Sequence, residues 1–313
     1  MTWPGCGAEL SPRLTRDGSF SLYSHRFGEA FHSAAGALRE ARETFVGPAQ
    51  LARFAPGSTV VVLDVCVGTG SNTAALLEAC AARGLRLQWH GLELDPAPLQ
   101  LATADGGFCA QWHPAGLEPL RQLAASGTWS SAQGAGVIHW GDARQQVAAL
   151  QSELTGQVDL VLHDAFSPRH CPELWTLEFL GFLARLLGPA GRLLTYCSAA
   201  AVRAALLQLG LELAAMPTPD PAEAGARWSG GTVASWQVLV AEAGAVQVEG
   251  LRPLSPMELE HLATNAAVPY RDPTGQAVRT EILAAREVQQ RAAAASGALE
   301  PTSAWRRRWR LGR

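Results

Sequence analysis

The sequence predicts an α/β protein: a doubly wound, mainly parallel sheet, preceded by an N-terminal segment and followed by a C-terminal extension. Three observations predict it. Apolar runs alternate with helical stretches from residue 59 onward, which implies parallel strands joined by right-handed crossovers. The first run, Thr59-Val60-Val61-Val62-Leu63-Asp64-Val65, is nearly all apolar, as a strand covered on both faces must be. A glycine turn, Gly68-Thr69-Gly70, follows it directly, where doubly wound sheets bind ligands.

The elements follow in order. Residues 19–24 alternate weakly and predict a strand; 34–45, rich in Ala and Glu, predict a helix. After the strand at 59–65 comes a helix of small residues at 72–82, a strand at 85–94, and a short helix at 96–104 with Pro96 early, where its missing N–H costs little. Residues 105–134, rich in Gly, Ser, Ala and Trp, give no clear period. Then follow a strand at 136–140, a helix at 143–154 and a strand at 158–163. A helix is predicted over 173–187, where Leu174, Leu177, Leu180, Leu183 and Leu187 leave one face apolar. A strand at 192–197, a helix at 199–209 and a late strand at 233–241 close the pattern. Beyond residue 245 the character changes. Pro253-Leu254-Ser255-Pro256 predicts a turn or linker, 281–295 a polar helix, and 305–313 a basic tail with five arginines. The expected division is a lid or acceptor-side segment at 1–45, a ligand-binding α/β domain at 46–245, and the extension with its basic tail at 246–313.

With 313 residues, 48% hydrophobic and 17% charged, the chain supports a sizeable core. The net charge of −3 argues against a protein coated in positive charge, though it says nothing of local patches. No run of about 18 apolar residues predicts a membrane span, and the N-terminus lacks the basic-then-apolar form of a secretion signal. The expected location is the cytoplasm. The six cysteines (Cys6, Cys66, Cys80, Cys109, Cys171, Cys197) are scattered without zinc-site spacing, so reduced thiols and no metal are expected.

Four predicted strand ends carry the chemistry. The first is Asp64 through Asn72: glycines let the backbone turn and approach a ligand closely. Thr73 stands where a dinucleotide site would want a third glycine, and Asp64 puts an acid before the loop. Both features favour a nucleoside carrying a sulfonium over a pyrophosphate. Glu93 ends the second strand, where a carboxylate accepts hydrogen bonds from ribose hydroxyls. The third end, Trp140-Gly141-Asp142-Ala143, puts an acid within reach of an adenine amino group, with Ala143 leaving space. The fourth is His163-Asp164-Ala165-Phe166-Ser167-Pro168. The predicted cofactor-binding set is Asp64, Gly68, Gly70, Asn72, Glu93, Asp142, Ala143 and Asp164.

From about residue 15 to 290 the sequence resembles the family of stand-alone tRNA 5-methylaminomethyl-2-thiouridine methyltransferases, the methyltransferase part of the bifunctional MnmC-type enzymes without their FAD oxidase domain. The matching segments are Thr15-Arg16-Asp17-Gly18-Ser19 with Leu22-Tyr23-Ser24, Phe27-Gly28-Glu29-Ala30-Phe31-His32-Ser33 and Gly36-Ala37-Leu38-Arg39-Glu40. The glycine loop, Trp140 to Ala143, Asp164 to Pro168 with Pro172-Glu173-Leu174-Trp175, and Pro269-Tyr270-Arg271-Asp272-Pro273 follow. The end at Arg313, with no second glycine-rich fingerprint, leads us to expect the stand-alone form. Residues 105–134 and the basic tail have no counterpart in the resemblance.

The resemblance implies a class I Rossmann-like methyltransferase that uses S-adenosyl-L-methionine to methylate the amine of 5-aminomethyl-(2-thio)uridine at position 34 in the tRNA anticodon loop. Asp164 is the expected catalytic residue, taking up or orienting the amine's proton. Tyr23, Phe27, Glu29 and His32 are expected in a lid over the substrate, and Phe166 and Pro168 in a wall against the uracil. Arg13, Arg16, Arg26, Arg39, Arg42 and the 306–313 arginines would meet phosphates, and Trp305 and Trp309 would stack on bases. Three other readings stay open: a methyltransferase acting on a different amine, a catalytically silent S-adenosylmethionine-binding subunit associated with RNA, and a nicotinamide oxidoreductase, which Thr73 disfavours.

Overall fold

The computed structural model describes residues 9–34, 36–217, 229–240 and 250–311. The chain opens with an antiparallel sheet of β1 (Leu10–Leu14), β2 (Phe20–Ser24) and β3 (Glu29–Ala30). Asp17 closes its first hairpin by accepting hydrogen bonds from Thr15 Oγ1 (2.6 Å) and Ser19 N (2.9 Å). Helix α1 (Ala37–Glu40) then runs through a π-helical stretch, Ala41–Val46, into α2 (Gly47–Ala49). The predicted helix at 34–45 thus starts later and extends further.

The main sheet comes next. Its elements are β4 (Thr59–Val65), α3 (Ser71–Ala81), β5 (Arg86–Glu93), α4 (Ala97–Ala104), α5 (Gly106–Ala110), α6 (Pro114–Ser126), β6 (Thr128–Ser131), β7 (Gly134–Trp140), α7 (Ala143–Leu154) and β8 (Val158–His163). They continue as α8 (Leu177–Leu186), β9 (Leu187–Thr195), α9 (Ala200–Gln208), β10 (Glu212–Met216) and β11 (Gly231–Ser235). The spatial order is β10-β11-β9-β8-β4-β5-β7-β6. The five strands from β9 to β7 are parallel; β6 at one edge and the β10-β11 hairpin at the other are antiparallel. Alternation within β8 shows both faces covered. Leu160 and Leu162 join the core beneath α3 and α6, while Val161 joins the core beneath α7, α8 and α9. After β7 the chain crosses back to β8 on the other side of β4, so β4 and β8 flank the point where the winding reverses. Doubly wound sheets open a crevice there.

Three predictions need correction. The helix expected over 173–187 is split: Pro172–Trp175 forms a 3₁₀ turn, and Thr176, extended, caps α8 through Phe179 N (3.2 Å). Trp175 is held back by its indole N–H, which donates to Phe166 O (2.8 Å). The late strand ends at Ser235, because its partner ends at Glu212 and no pairing remains beyond it; Ala241, its expected end, lies outside the described residues. Pro256 is not a linker residue but begins α10 (Pro256–Leu262), whose N-cap Ser255 forms a capping box with Glu258.

Helices α11 (Arg279–Ala295) and α12 (Thr302–Arg308) complete the extension. The first part of the expected basic tail, through Arg308, is the end of a pinned helix. Trp305 is buried, stacked on His261 (centroids 4.0 Å apart), with its N–H on Met257 O (3.0 Å), so it is not available to a base. Trp309 Nε1 donates to Glu260 (2.8 Å), and Arg308 is bidentate on Glu300 (2.8 and 2.9 Å). Arg306 and Arg307 remain exposed; Arg313 and residue 246, the expected start of the extension, lie outside the described residues.

Candidate active site

At the carboxyl ends of β4, β5, β7 and β8 lies a cleft of about 570 Å³, roofed by the N-terminal sheet and α1. That volume suits a nucleoside-sized ligand. Gly68, Asn72, Glu93, Asp142, Ala143, Asp164, Phe27, Glu29, His32 and Phe166 line it.

Asp64, Gly70, Tyr23 and Pro168 do not. Asp64 is fully buried beneath the loop, where it accepts the Thr73 hydroxyl (2.6 Å) and ties β4 to α3; burial pushes its pKa up to about 7. Gly70 precedes α3 at φ +82°, and a Cβ there would sit 2.8 Å from Leu120 Cδ2, so its glycine serves packing. The Tyr23 ring packs edge-on against His25, and Pro168 is buried behind its loop.

At the tip of β4, Cys66 adopts φ +67°, a strained conformation for a residue with a side chain, and faces the cleft. Gly68 (φ +57°) then brings its N–H to Glu93 Oε2 (2.8 Å). A Cβ on Gly68 would lie 3.2 Å from the Phe31 ring, so glycine lets the lid settle on the loop. Glu93 also accepts Leu94 N (2.6 Å) and Asp95 N (3.0 Å) on Oε1. Three of its roughly four lone-pair sites are used, which leaves one toward the cleft. At β7, Asp142 caps α7 through Arg144 N (2.9 Å) and is paired with the Arg144 guanidinium (2.7 Å). At β8, Asp164 Oδ2 accepts from Asn72 Nδ2 (2.7 Å). Burial and the negative charge of Glu40 raise the Asp164 pKa well above the usual carboxylate range, against the Asn72 bond.

The roof is latched at several points. His32, buried and held neutral with its pKa down to about 4, bonds Ser21 Oγ (3.0 Å) and reaches Thr69 Oγ1 (3.5 Å) of the glycine loop. Glu29 accepts Ser167 N (2.9 Å), and the His170 ring bonds Phe27 O (2.7 Å). Phe27 stacks on Phe166 (4.7 Å), and Phe31 meets the same ring edge-on (5.1 Å). Arg13 and Arg26 line the cleft; Arg39 is paired instead with Glu43 (2.9 Å).

Sequence reasoning did not single out Glu40, Tyr196, Arg144 or Asp272. Glu40 lines the cleft from α1 and accepts Ser33 N (3.1 Å). Tyr196 donates its hydroxyl to Ala165 O (2.9 Å) behind Asp164. Glu40 and Asp272 lie in segments already matched by the resemblance, which was the available signal.

The carboxylates of Glu29, Glu40, Glu93, Asp142 and Asp164 thus converge on a glycine-cradled crevice. That set fits a nucleoside with a cationic sulfonium, since opposite charges in a partly buried site attract strongly. Such a ligand would lie with its ribose at Glu93, its base at Asp142 and its sulfonium toward Asp164.

Residues 128–219 match the family model described as S-adenosyl-L-methionine-dependent methyltransferase. The tRNA 5-methylaminomethyl-2-thiouridine biosynthesis bifunctional protein MnmC of Cupriavidus necator is 29% identical over 206 residues, covering 62% of this chain and 31% of that protein. The protein of the same name from Pseudomonas fluorescens is 31% identical over 207 residues, with the same coverage. The chain therefore spans about a third of these relatives' length. The crystal structure of MNMC2 from Aquifex aeolicus superposes with a TM-score of 0.73 at 26% identity, covering 90% of this chain and 85% of that one. The architecture is the class I, Rossmann-like methyltransferase fold, and the cofactor is S-adenosylmethionine.

Proposed function

We propose that this chain, an S-adenosylmethionine-dependent methyltransferase whose relatives include the methyltransferase part of the MnmC-type proteins, methylates the primary amine of 5-aminomethyl-(2-thio)uridine at the tRNA wobble position. The observation that carries this reading is the pairing, in one cleft, of a flat aromatic wall with a half-buried carboxylate. Phe27 and Phe166 stack beside Asp164, which suits a planar pyrimidine bearing a cationic arm.

S-adenosylmethionine supplies an electrophilic methyl carbon. Direct displacement forms the N–C bond while the C–S bond breaks and its electron pair leaves with sulfur. The protein's part is alignment, worth about 7–11 kcal/mol when the geometry is right, and disposal of a proton. Asp164 takes that proton from the ammonium, whose free amine is the nucleophile. The Phe27-Phe166-Phe31 cluster keeps water from the reacting carbon. Arg13 and Arg26 at the cleft offer charge to the anticodon backbone.

Two outcomes test the reading. Purified protein with S-adenosylmethionine should convert 5-aminomethyl-2-thiouridine in tRNA to its singly methylated form, and a deletion strain should accumulate the unmethylated nucleoside. An unchanged nucleoside profile by mass spectrometry in both experiments removes the reading. Separately, Glu93→Gln should weaken S-adenosylmethionine binding by about tenfold or more, the scale of losing a hydrogen bond to a charged acceptor; calorimetry with an unchanged Kd would detach Glu93 from the ribose.

A further inference from the structure

Arg144 joins two parts of the molecule that the chemistry does not otherwise connect. Its backbone N–H donates to Asp142 Oδ1 (2.9 Å), and its guanidinium contacts both oxygens: Nε at 3.2 and 3.3 Å, Nη2 at 2.7 Å from Oδ2. The other arm, Nη1, donates to Asp272 Oδ2 (2.9 Å) and to Ala277 O (2.9 Å) in the turn before α11. Asp272 is 1% exposed, and its second oxygen closes that turn by accepting Thr274 Oγ1 (2.9 Å) and Ala277 N (3.1 Å). The turn is fastened to α8 as well: Asp272 N donates to Glu178 (2.8 Å).

We propose that Arg144 and Asp272 form a clamp that orients the Asp142 carboxylate and thereby makes the cofactor site selective for a 6-amino purine. The proposal rests on the cofactor reading above. A carboxylate at the end of a short side chain swings freely unless it is held. Here a planar fork, itself fixed by a buried acid, holds both oxygens in one plane. The Nε–H is shared between the two oxygens, so three Arg144 hydrogens take about three of the roughly four lone-pair sites and leave room for one further donor on a carboxylate that lines the cleft. Asp142 also stays ionised: burial would raise its pKa, but its bonds to Arg144 outweigh that and lower it. A fixed anionic acceptor favours an amino donor and repels an oxo group in the same place. Linkage then runs both ways: a base that engages Asp142 must also steady the 272–277 turn through Arg144.

The test uses the full chain, the variants Arg144→Gln and Asp272→Asn, and two ligands: S-adenosylhomocysteine, and S-inosylhomocysteine, in which an oxo group replaces the adenine amine. By calorimetry the unsubstituted protein should prefer the adenosyl ligand by about tenfold or more, one charged hydrogen bond's worth. Each variant should bring that ratio toward one, mainly by weakening the adenosyl ligand. Hydrogen exchange at the Gln276 and Ala277 amides should slow on adenosyl binding in the unsubstituted protein and not in Arg144→Gln. A ratio that stays high in both variants, or an equal weakening of both ligands, overturns the clamp and leaves the cofactor site standing. Failure of the unsubstituted protein to bind either ligand overturns the cofactor reading itself. Asp272→Asn keeps size and most hydrogen bonds, so it carries the test should Arg144→Gln not fold.

Discussion

Asp164→Asn is expected to lower kcat by about 10²-fold or more, the scale of a lost proton acceptor, while the Kd for S-adenosylmethionine changes little. The substitution keeps the shape of the side chain and a partner for Asn72, so the lattice of contacts at the tip of β8 should hold. What it removes is the proton acceptor. In the free protein this carboxyl is pushed toward its neutral form by burial and by Glu40. Arrival of a sulfonium and an alkylammonium reverses that balance, since each cation favours the carboxylate. Two observable consequences follow. Cofactor binding to the unsubstituted protein should release protons, seen as a dependence of the calorimetric enthalpy on the buffer, and the variant should release fewer. Activity should rise with pH as the carboxyl ionises, and the variant should lose that limb of the profile. An unchanged kcat would remove Asp164 from the chemistry.

The centre of the sheet was legible because β4 and β8 are covered on both faces and so are mostly apolar. Strands β4 and β8 fall where the runs Thr59–Val65 and Val158–His163 begin and end. The hidden strands are those whose identity comes from a neighbour. In β10, Glu212-Leu213-Ala214-Ala215-Met216 is composed of helix formers and becomes a strand only by pairing with β11. Residues 105–134 were opaque for a similar reason. Helix α6 carries Pro119 in its interior and takes His113 as its N-cap, two features that argue against a helix locally. Within the site, the sequence order of strand ends located Gly68, Glu93, Asp142 and Asp164. It had no means of separating Asp64, which faces the core, from acids that face the cleft, because a strand end places alternate residues on opposite sides. Nor was Arg144 to Asp272 visible, a contact that spans 128 positions.

Arg203→Met is expected to cost about 3–5 kcal/mol of stability, the penalty for stranding one member of a buried ion pair. Arg203 sits on α9, 2% exposed, and its Nη1 donates to Glu258 of α10 (2.8 Å). Its remaining arms donate to Thr232 Oγ1 (2.9 Å) and Ser229 Oγ (3.0 Å), so every face of the guanidinium is used. Glu258 is 1% exposed and also accepts Arg252 and Ser255 N. Burial would raise its pKa, but the Arg252 bond, Ser255 N–H and Arg203 together bring it down to about 2. A depressed acid stabilises the fold above its unfolded pKa, near 4.5, and that contribution drains away as pH falls toward 2. Urea unfolding at neutral pH should therefore show the full loss in Arg203→Met, and its midpoint should begin to fall at a higher pH than in the unsubstituted protein, because Glu258 then titrates higher. A second variant, Arg203→Met with Glu258→Gln, should recover part of the stability by removing the stranded charge. If the single variant unfolds at the same urea concentration as the unsubstituted chain, the pair does not join α9 to α10, and the extension is held by its apolar contacts instead.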